Sequence, residues 1–117
     1  MNNKDTGIFG ENRAANYLIE QGFEILYRNW RYKHLEIDII TSKNGLLHII
    51  EVKTRSSIEF GYPEQFINIQ KMQFLKNAAA HFQYENPQWK YLQFDVVSIF
   101  LNDTNQWELL LIEDVYF

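Results

Sequence analysis

Asp38, Glu51 and Lys53 flank an Asn-Gly pair, Asn44-Gly45, and Asn-Gly between two β-forming runs is a strong hairpin signal. With a two-residue loop at Asn44-Gly45, Lys43 faces Leu46 and paired positions sum to 89. Asp38 then lies opposite Glu51, and Glu36 opposite Lys53, with Ile40 and Ile49 continuing that face. Ile37, Ile39, Ile50 and Val52 make the other face wholly apolar. Directly opposed residues have Cβ atoms about 4.5–5.5 Å apart, a distance at which like charges repel. A shared proton, with one pKa raised, is one solution. A divalent cation is the other, and hard oxygen ligands suit Mg²⁺ or Mn²⁺. Lys53 points to the same side as Glu51. Beside a metal-bound phosphate, a lysine can orient or deprotonate water or offset charge developing in the transition state. The plainer alternative is a solvated face on which Glu36 pairs with Lys53, and a one-residue slip would separate the carboxylates altogether.

A third acid bears on that choice. In the first helix Ile8, Glu11, Ala15 and Leu18 share a stripe, and a glutamate on a core-facing stripe is costly unless paired or metal-bound. Glu11 therefore reads either as a third carboxylate converging on the hairpin or as a boundary residue reaching solvent past Ala14 and Ala15.

The elements that must position these groups follow in order. A first helix is expected from an N-cap at Asp5 or Thr6 to Gln21, stopped by Gly22. Strands are expected at 23–32, 35–41 and 46–54, then a loop at Gly61-Tyr62-Pro63. A second helix is expected from near Asn68 to about Tyr84, with Ile69, Met72, Leu75, Ala79 and Phe82 at helical spacing. The apolar run Leu92 to Leu101 suits a strand covered on both faces, and Trp107 to Ile112 a last strand. The order α-β-β-β-α-β-β predicts an α/β fold with a mixed sheet flanked by helices. A chain of 117 residues predicts one domain spanning 1–117.

Without cysteine there is no disulfide framework or thiolate metal site, and no run is long enough to cross a membrane. The N-terminus lacks the apolar core of a secretory signal, so a cytoplasmic location is expected. A net charge of −4 argues mildly against a nucleic-acid partner. The acidity is unevenly placed, however: residues 1–76 carry ten Lys/Arg and nine Asp/Glu, and residues 77–117 one and six.

The ordered set Gly7 to Ala15 with Glu11, Asn29-Trp30-Arg31, Glu36-Ile37-Asp38, Glu51-Val52-Lys53-Thr54-Arg55, Gly61-Tyr62-Pro63-Glu64, Lys71 and Phe94-Asp95-Val96-Val97 resembles the restriction-endonuclease-like superfamily with its PD-(D/E)XK motif. It is more closely similar to the small bacterial YraN family, an endonuclease-like group related to archaeal Holliday junction resolvases. An isolated D…ExK is weak, whereas the whole ordered set is specific. The resemblance implies a four- or five-stranded mixed sheet, with Asp38, Glu51 and the Val52 carbonyl as Mg²⁺ (or Mn²⁺) ligands. It further implies Lys53 as the catalytic lysine and Glu11 as a helix-borne catalytic and metal-binding carboxylate. Three positions depart from the family pattern: Leu35 replaces a glycine, Gln93 an arginine, and Ile37 the proline before the aspartate.

The run 27–34 holds three basic residues, three aromatics and no acid, a mixture suited to phosphate contacts and stacking on unpaired bases. Arg28, Arg31, Lys33, Arg55 and Lys71 are the expected DNA contacts, although an edge strand or helix with solvated charges explains them equally well. His48 on the apolar face and Asp95 inside a buried strand read as structural. Three functions are thus in view. The first is a Mg²⁺-dependent DNA endonuclease acting on branched or damaged DNA, for which a homodimer is the natural working unit. The second is a nucleic-acid-binding module with the same fold and little catalysis of its own. The third, a plain interaction domain, requires carboxylates that do not converge.

Overall fold

A single five-stranded sheet, in the order β1-β2-β3-β4-β5, runs through the computed structural model, which describes residues 2–56 and 69–115. The elements are α1 (Asn3–Glu20), β1 (Glu24–Tyr32), β2 (Leu35–Lys43), β3 (Leu46–Arg55), α2 (Ile69–Glu85), β4 (Leu92–Leu101) and β5 (Trp107–Ile112). Neighbouring strands are antiparallel except β3 and β4, which run parallel and are joined through α2. The expected mixed α/β architecture is the one observed. Gly61-Tyr62-Pro63, Glu64 and the start expected near Asn68 lie outside the described residues.

Helix α1 begins earlier than its sequence suggests. Asn2 is the N-cap, its side-chain oxygen accepting the Asp5 amide at 2.8 Å. Asp5 becomes a first-turn acid favoured by the helix dipole rather than the cap itself. At the other end Gly22 takes φ 93°, the Phe23 amide bonds Leu18 O at 2.9 Å, and the Gly22 amide bonds Ile19 O at 3.0 Å. Those paired bonds, with Phe23 folded back on Leu18, are the Schellman ending that a glycine permits.

The helices cover opposite faces of the sheet. Ala14, Ala15 and Leu18 of α1 pack on Ile39, Ile50, Val97 and Ile99. Met72 and Phe82 of α2 pack on Ile37, Ile40, Ile49, Phe94 and Val96. Ile8, expected on the buried stripe of α1, is 52% exposed, and Gly10 is buried in its place. A β-carbon at Gly10 would overlap the Thr54 side chain, so glycine lets the helix backbone approach the end of β3. That close approach sets Glu11 beside the hairpin.

The hairpin register is the predicted one for five rungs, from Lys43↔Leu46 to Ile39↔Ile50, and stops there. Beyond it the period of two also breaks. Ile39 belongs to the cluster under α1, yet Ile37 belongs to the one under α2, so the expected apolar face is divided between two cores. The break coincides with Asn29 on β1, which adopts φ 54° between the rungs Arg28↔Ile39 and Trp30↔Ile37. Asparagine tolerates that left-handed conformation better than most residues.

Candidate functional site: an acidic centre on the β2–β3 hairpin

Glu51 is 5% exposed, near the middle of β3. Its Oε1 lies 3.3 Å from Lys53 Nζ and 3.3 Å from Lys71 Nζ, the latter arriving from the first turns of α2. Its Oε2 is buried and has no hydrogen-bond partner. A carboxylate oxygen left in that state costs free energy unless something else occupies it.

Asp38 stands beside it but not across a rung. Its Oδ2 accepts the Val52 amide at 2.8 Å, so a side chain closes the hairpin where the ladder has ended. Burial pushes the Asp38 carboxyl up to about 7, and the charge of Glu51 adds to that effect, as does that of Glu11. The Val52 amide and Lys71 oppose the rise without cancelling it. The conflict expected between two carboxylates is therefore present, and it falls on Asp38.

Glu11 approaches from α1 and its charge is felt at Asp38, but the three carboxylates do not gather within 4.8 Å of one another as a ligand set. Glu11 Oε1 accepts from Asn29 Nδ2 at 2.9 Å and from Arg28 through Nε at 3.3 Å and Nη2 at 3.2 Å. Arg28 Nη2 also donates to Asn12 Oδ1 at 2.7 Å. The left-handed turn at Asn29 thus serves the site by aiming that amide at Glu11. Sequence reasoning missed this role; an asparagine inside a run of strand formers was the available signal.

The remaining predicted residues are placed as follows. Glu36 does not pair with Lys53; it bonds Arg31 at 3.2 Å, and Lys53 turns to Glu51. The pairing failed because the ladder ends before either residue. Arg31 is widely exposed, and Lys33 occupies the β1–β2 turn with Nζ over the Tyr32 ring at 5.3 Å. Arg55 closes β3, half-buried. Val52 lends its amide to Asp38 and packs its side chain against the core under α1. Lys71, expected only as a DNA contact, is also a direct partner of Glu51.

A second grouping lies apart from these residues. His48 Nδ1 is 2.7 Å from Asp95 Oδ2, both side chains are buried, and with Glu113 they bring potential metal-ligand atoms within 4.8 Å of one another. Asp95 Oδ1 accepts from Gln93 Nε2 and from the Asp114 amide, each at 2.9 Å. The acceptor role expected of Asp95 accounts for all these bonds. Gln93 supplies one of them.

Fold and site together define a small mixed-sheet α/β protein with a lysine-flanked acidic centre on its central hairpin. The chain belongs to the family described as uncharacterised protein family UPF0102, which matches residues 10–99. A UPF0102 protein of Caldicellulosiruptor bescii is 43% identical over 99% of this chain and 100% of its own length. One from Lachnoclostridium phytofermentans is 46% identical over 83% of this chain and 84% of its own. Another, from Flavobacterium psychrophilum, is 35% identical over 97% and 94% respectively. No helix among the described residues is long and apolar enough to cross a membrane.

Proposed function

We propose that this chain is a Mg²⁺- or Mn²⁺-dependent DNA endonuclease of the PD-(D/E)XK type. The observation that carries the reading is Glu51, a buried carboxylate with one oxygen held by Lys53 and Lys71 and the other without a hydrogen-bond partner, beside an Asp38 whose charge is disfavoured. These residues fit a hard cation, which would satisfy Glu51 Oε2 and favour the ionised Asp38. Asp38 and Glu51 would hold it, with the Val52 carbonyl as a further oxygen donor. Once bound, the metal supplies Lewis-acid polarisation of a phosphodiester and activation of water.

This chain's own residues set the rest. Lys53, half-buried, carries a proton donor and positive charge to the edge of the centre, where charge develops on a phosphoryl oxygen. Lys71 holds Glu51 from the opposite element and limits its freedom. Glu11, paired with Arg28 and Asn29, adds negative potential that attracts a cation and raises the Asp38 pKa.

A second reading, a DNA-binding module with little catalysis of its own, draws on one specific observation. Arg28 on β1, one of the expected DNA contacts, is spent on Glu11 and Asn12. The two readings separate in a cleavage assay on duplex, single-stranded and four-way-junction DNA with Mg²⁺ or Mn²⁺, run beside metal calorimetry. Metal-dependent cleavage lost in Asp38→Ala together with metal binding supports the nuclease. DNA binding with no cleavage by the wild type under any metal leaves the binding module.

A further inference from the structure

One stripe of α2 extends the centre along the molecule. Lys71, Phe74 and His81 lie at spacings of three and seven, so they share a helix face, which borders the buried Ala78. Lys71 begins the stripe at Glu51. Next comes a cleft of about 230 Å³, lined by Lys71, Phe74 and Leu75 from α2, by His34 of the β1–β2 turn and by Leu35 and Glu36 at the start of β2. Beyond it the rings of Tyr32 and His81 stack at 3.8 Å and 22°. Tyr84 continues the series at 6.4 Å and 28° from His81, and it is 83% exposed.

Tyr84 leans on His81 of its own helix and His81 stacks on Tyr32 of β1, so the outermost ring is poorly packed and makes a good platform. The flanking charge is mixed, with the Lys33 ammonium the cation set directly over the Tyr32 ring. Arg31 is widely exposed. The two acids nearby are already paired, Glu36 with Arg31 and Glu85 with His81, each at 3.2 Å. Aromatic faces beside basic side chains bind unpaired bases with little regard to sequence. From Lys71 to His81 the helix rises about 15 Å, roughly four nucleotides at 3.4 Å each.

We infer that the face of α2 from Lys71 to Tyr84, with Tyr32 and Lys33, is a track for unpaired nucleotides adjoining the scissile phosphate. This deepens the nuclease reading and rests on it: the substrate becomes DNA with a single-stranded segment next to the cut, such as a flap or overhang.

The test is fluorescence anisotropy of the full chain, without metal, on a labelled oligothymidine and on a duplex of equal length. Tyr84→Ala and His81→Ala should weaken single-strand binding by roughly 5- to 100-fold, the range one stacked base carries, and leave duplex binding nearly unchanged. Leu110→Ala, on the far edge strand and 49% exposed, is the control and should change neither. Unaltered single-strand affinity in both aromatic variants overturns the track, whatever the cleavage assay shows. A change in sedimentation of Tyr84→Ala with unaltered DNA affinity also overturns it and makes the patch a contact between copies of the chain. Loss of single-strand affinity in a protein that never cleaves supports the track while removing the nuclease.

Discussion

The carboxylate of Asp38 takes the amide hydrogen of Val52 at 2.8 Å, one position past the last rung of the β2–β3 ladder. Strand β2 leaves β3 at the point where the two acids would otherwise face each other, and a side chain replaces the backbone rung. The bond points Asp38 at the residue between Glu51 and Lys53. It also removes one acceptor site from a carboxyl that is already crowded.

Stability should respond to pH through that residue. Folding raises the Asp38 carboxyl from 3.8 to about 7, so between those values the folded protein holds a proton that the unfolded chain has released. Stability in metal-free buffer therefore falls as pH rises across this window, by roughly 2–4 kcal/mol. Asp38→Asn should flatten the curve between pH 4 and about 7, as read by urea unfolding with a chelator present.

Divalent metal should reverse the loss. Mg²⁺ or Mn²⁺ at about 100 times its dissociation constant adds about 2.7 kcal/mol to the folded state. The rise in Tm should be larger at pH 8 than at pH 5, because protons compete for Asp38, and it should vanish with chelator. An equal shift at both pH values would mean that the cation binds elsewhere, on groups that do not titrate in this range.

The two lysines on Glu51 should separate in kinetics. Lys53→Ala is expected to lower kcat by about 10²–10⁴-fold while metal calorimetry stays near wild type. Lys71→Ala frees Glu51 on one side and withdraws a charge that lowers the Asp38 pKa. Its cleavage optimum should therefore move to higher pH, a displacement that Lys53→Ala need not show.

Gly10 offers a test of packing alone. Gly10→Ala forces the new methyl against Thr54 and should cost about 1–3 kcal/mol of stability, although alanine is the better helix former. Thr54→Ala in the same chain should recover part of that loss. Full additivity of the two changes in denaturant unfolding would show that α1 can shift away from β3 at little cost.

Much of this arrangement was legible in the residues. Asn44-Gly45 set the hairpin register correctly, and the runs 92–101 and 107–112 became strands with those bounds. Local chemistry governs such features. The departures lie where tertiary contacts override local pattern. Ile37 changes faces because Asn29 turns left-handed on the neighbouring strand, and no periodicity within β2 reveals that. Ile8 is exposed because the close approach of α1 runs through Gly10, whose lack of a side chain hides it from any hydrophobic stripe. The partnership of Lys71 with Glu51 depends on where a crossover helix lands, which the spacing of charges does not encode.

The parallel pairing of β3 with β4 also dictates an order of assembly. Residues 24–55 form a meander in which each strand pairs with the next along the chain, so Asp38 and Glu51 can meet early. Strand β4 must return from forty-five residues downstream, Leu47 to Leu92, before the sheet is closed. Helix α2, carrying Lys71, docks within that long loop and brings its ammonium group late. The two acids would thus spend the first part of folding with Lys53 alone to offset their charge. A divalent ion present at that stage would speed folding as well as stabilise its end point.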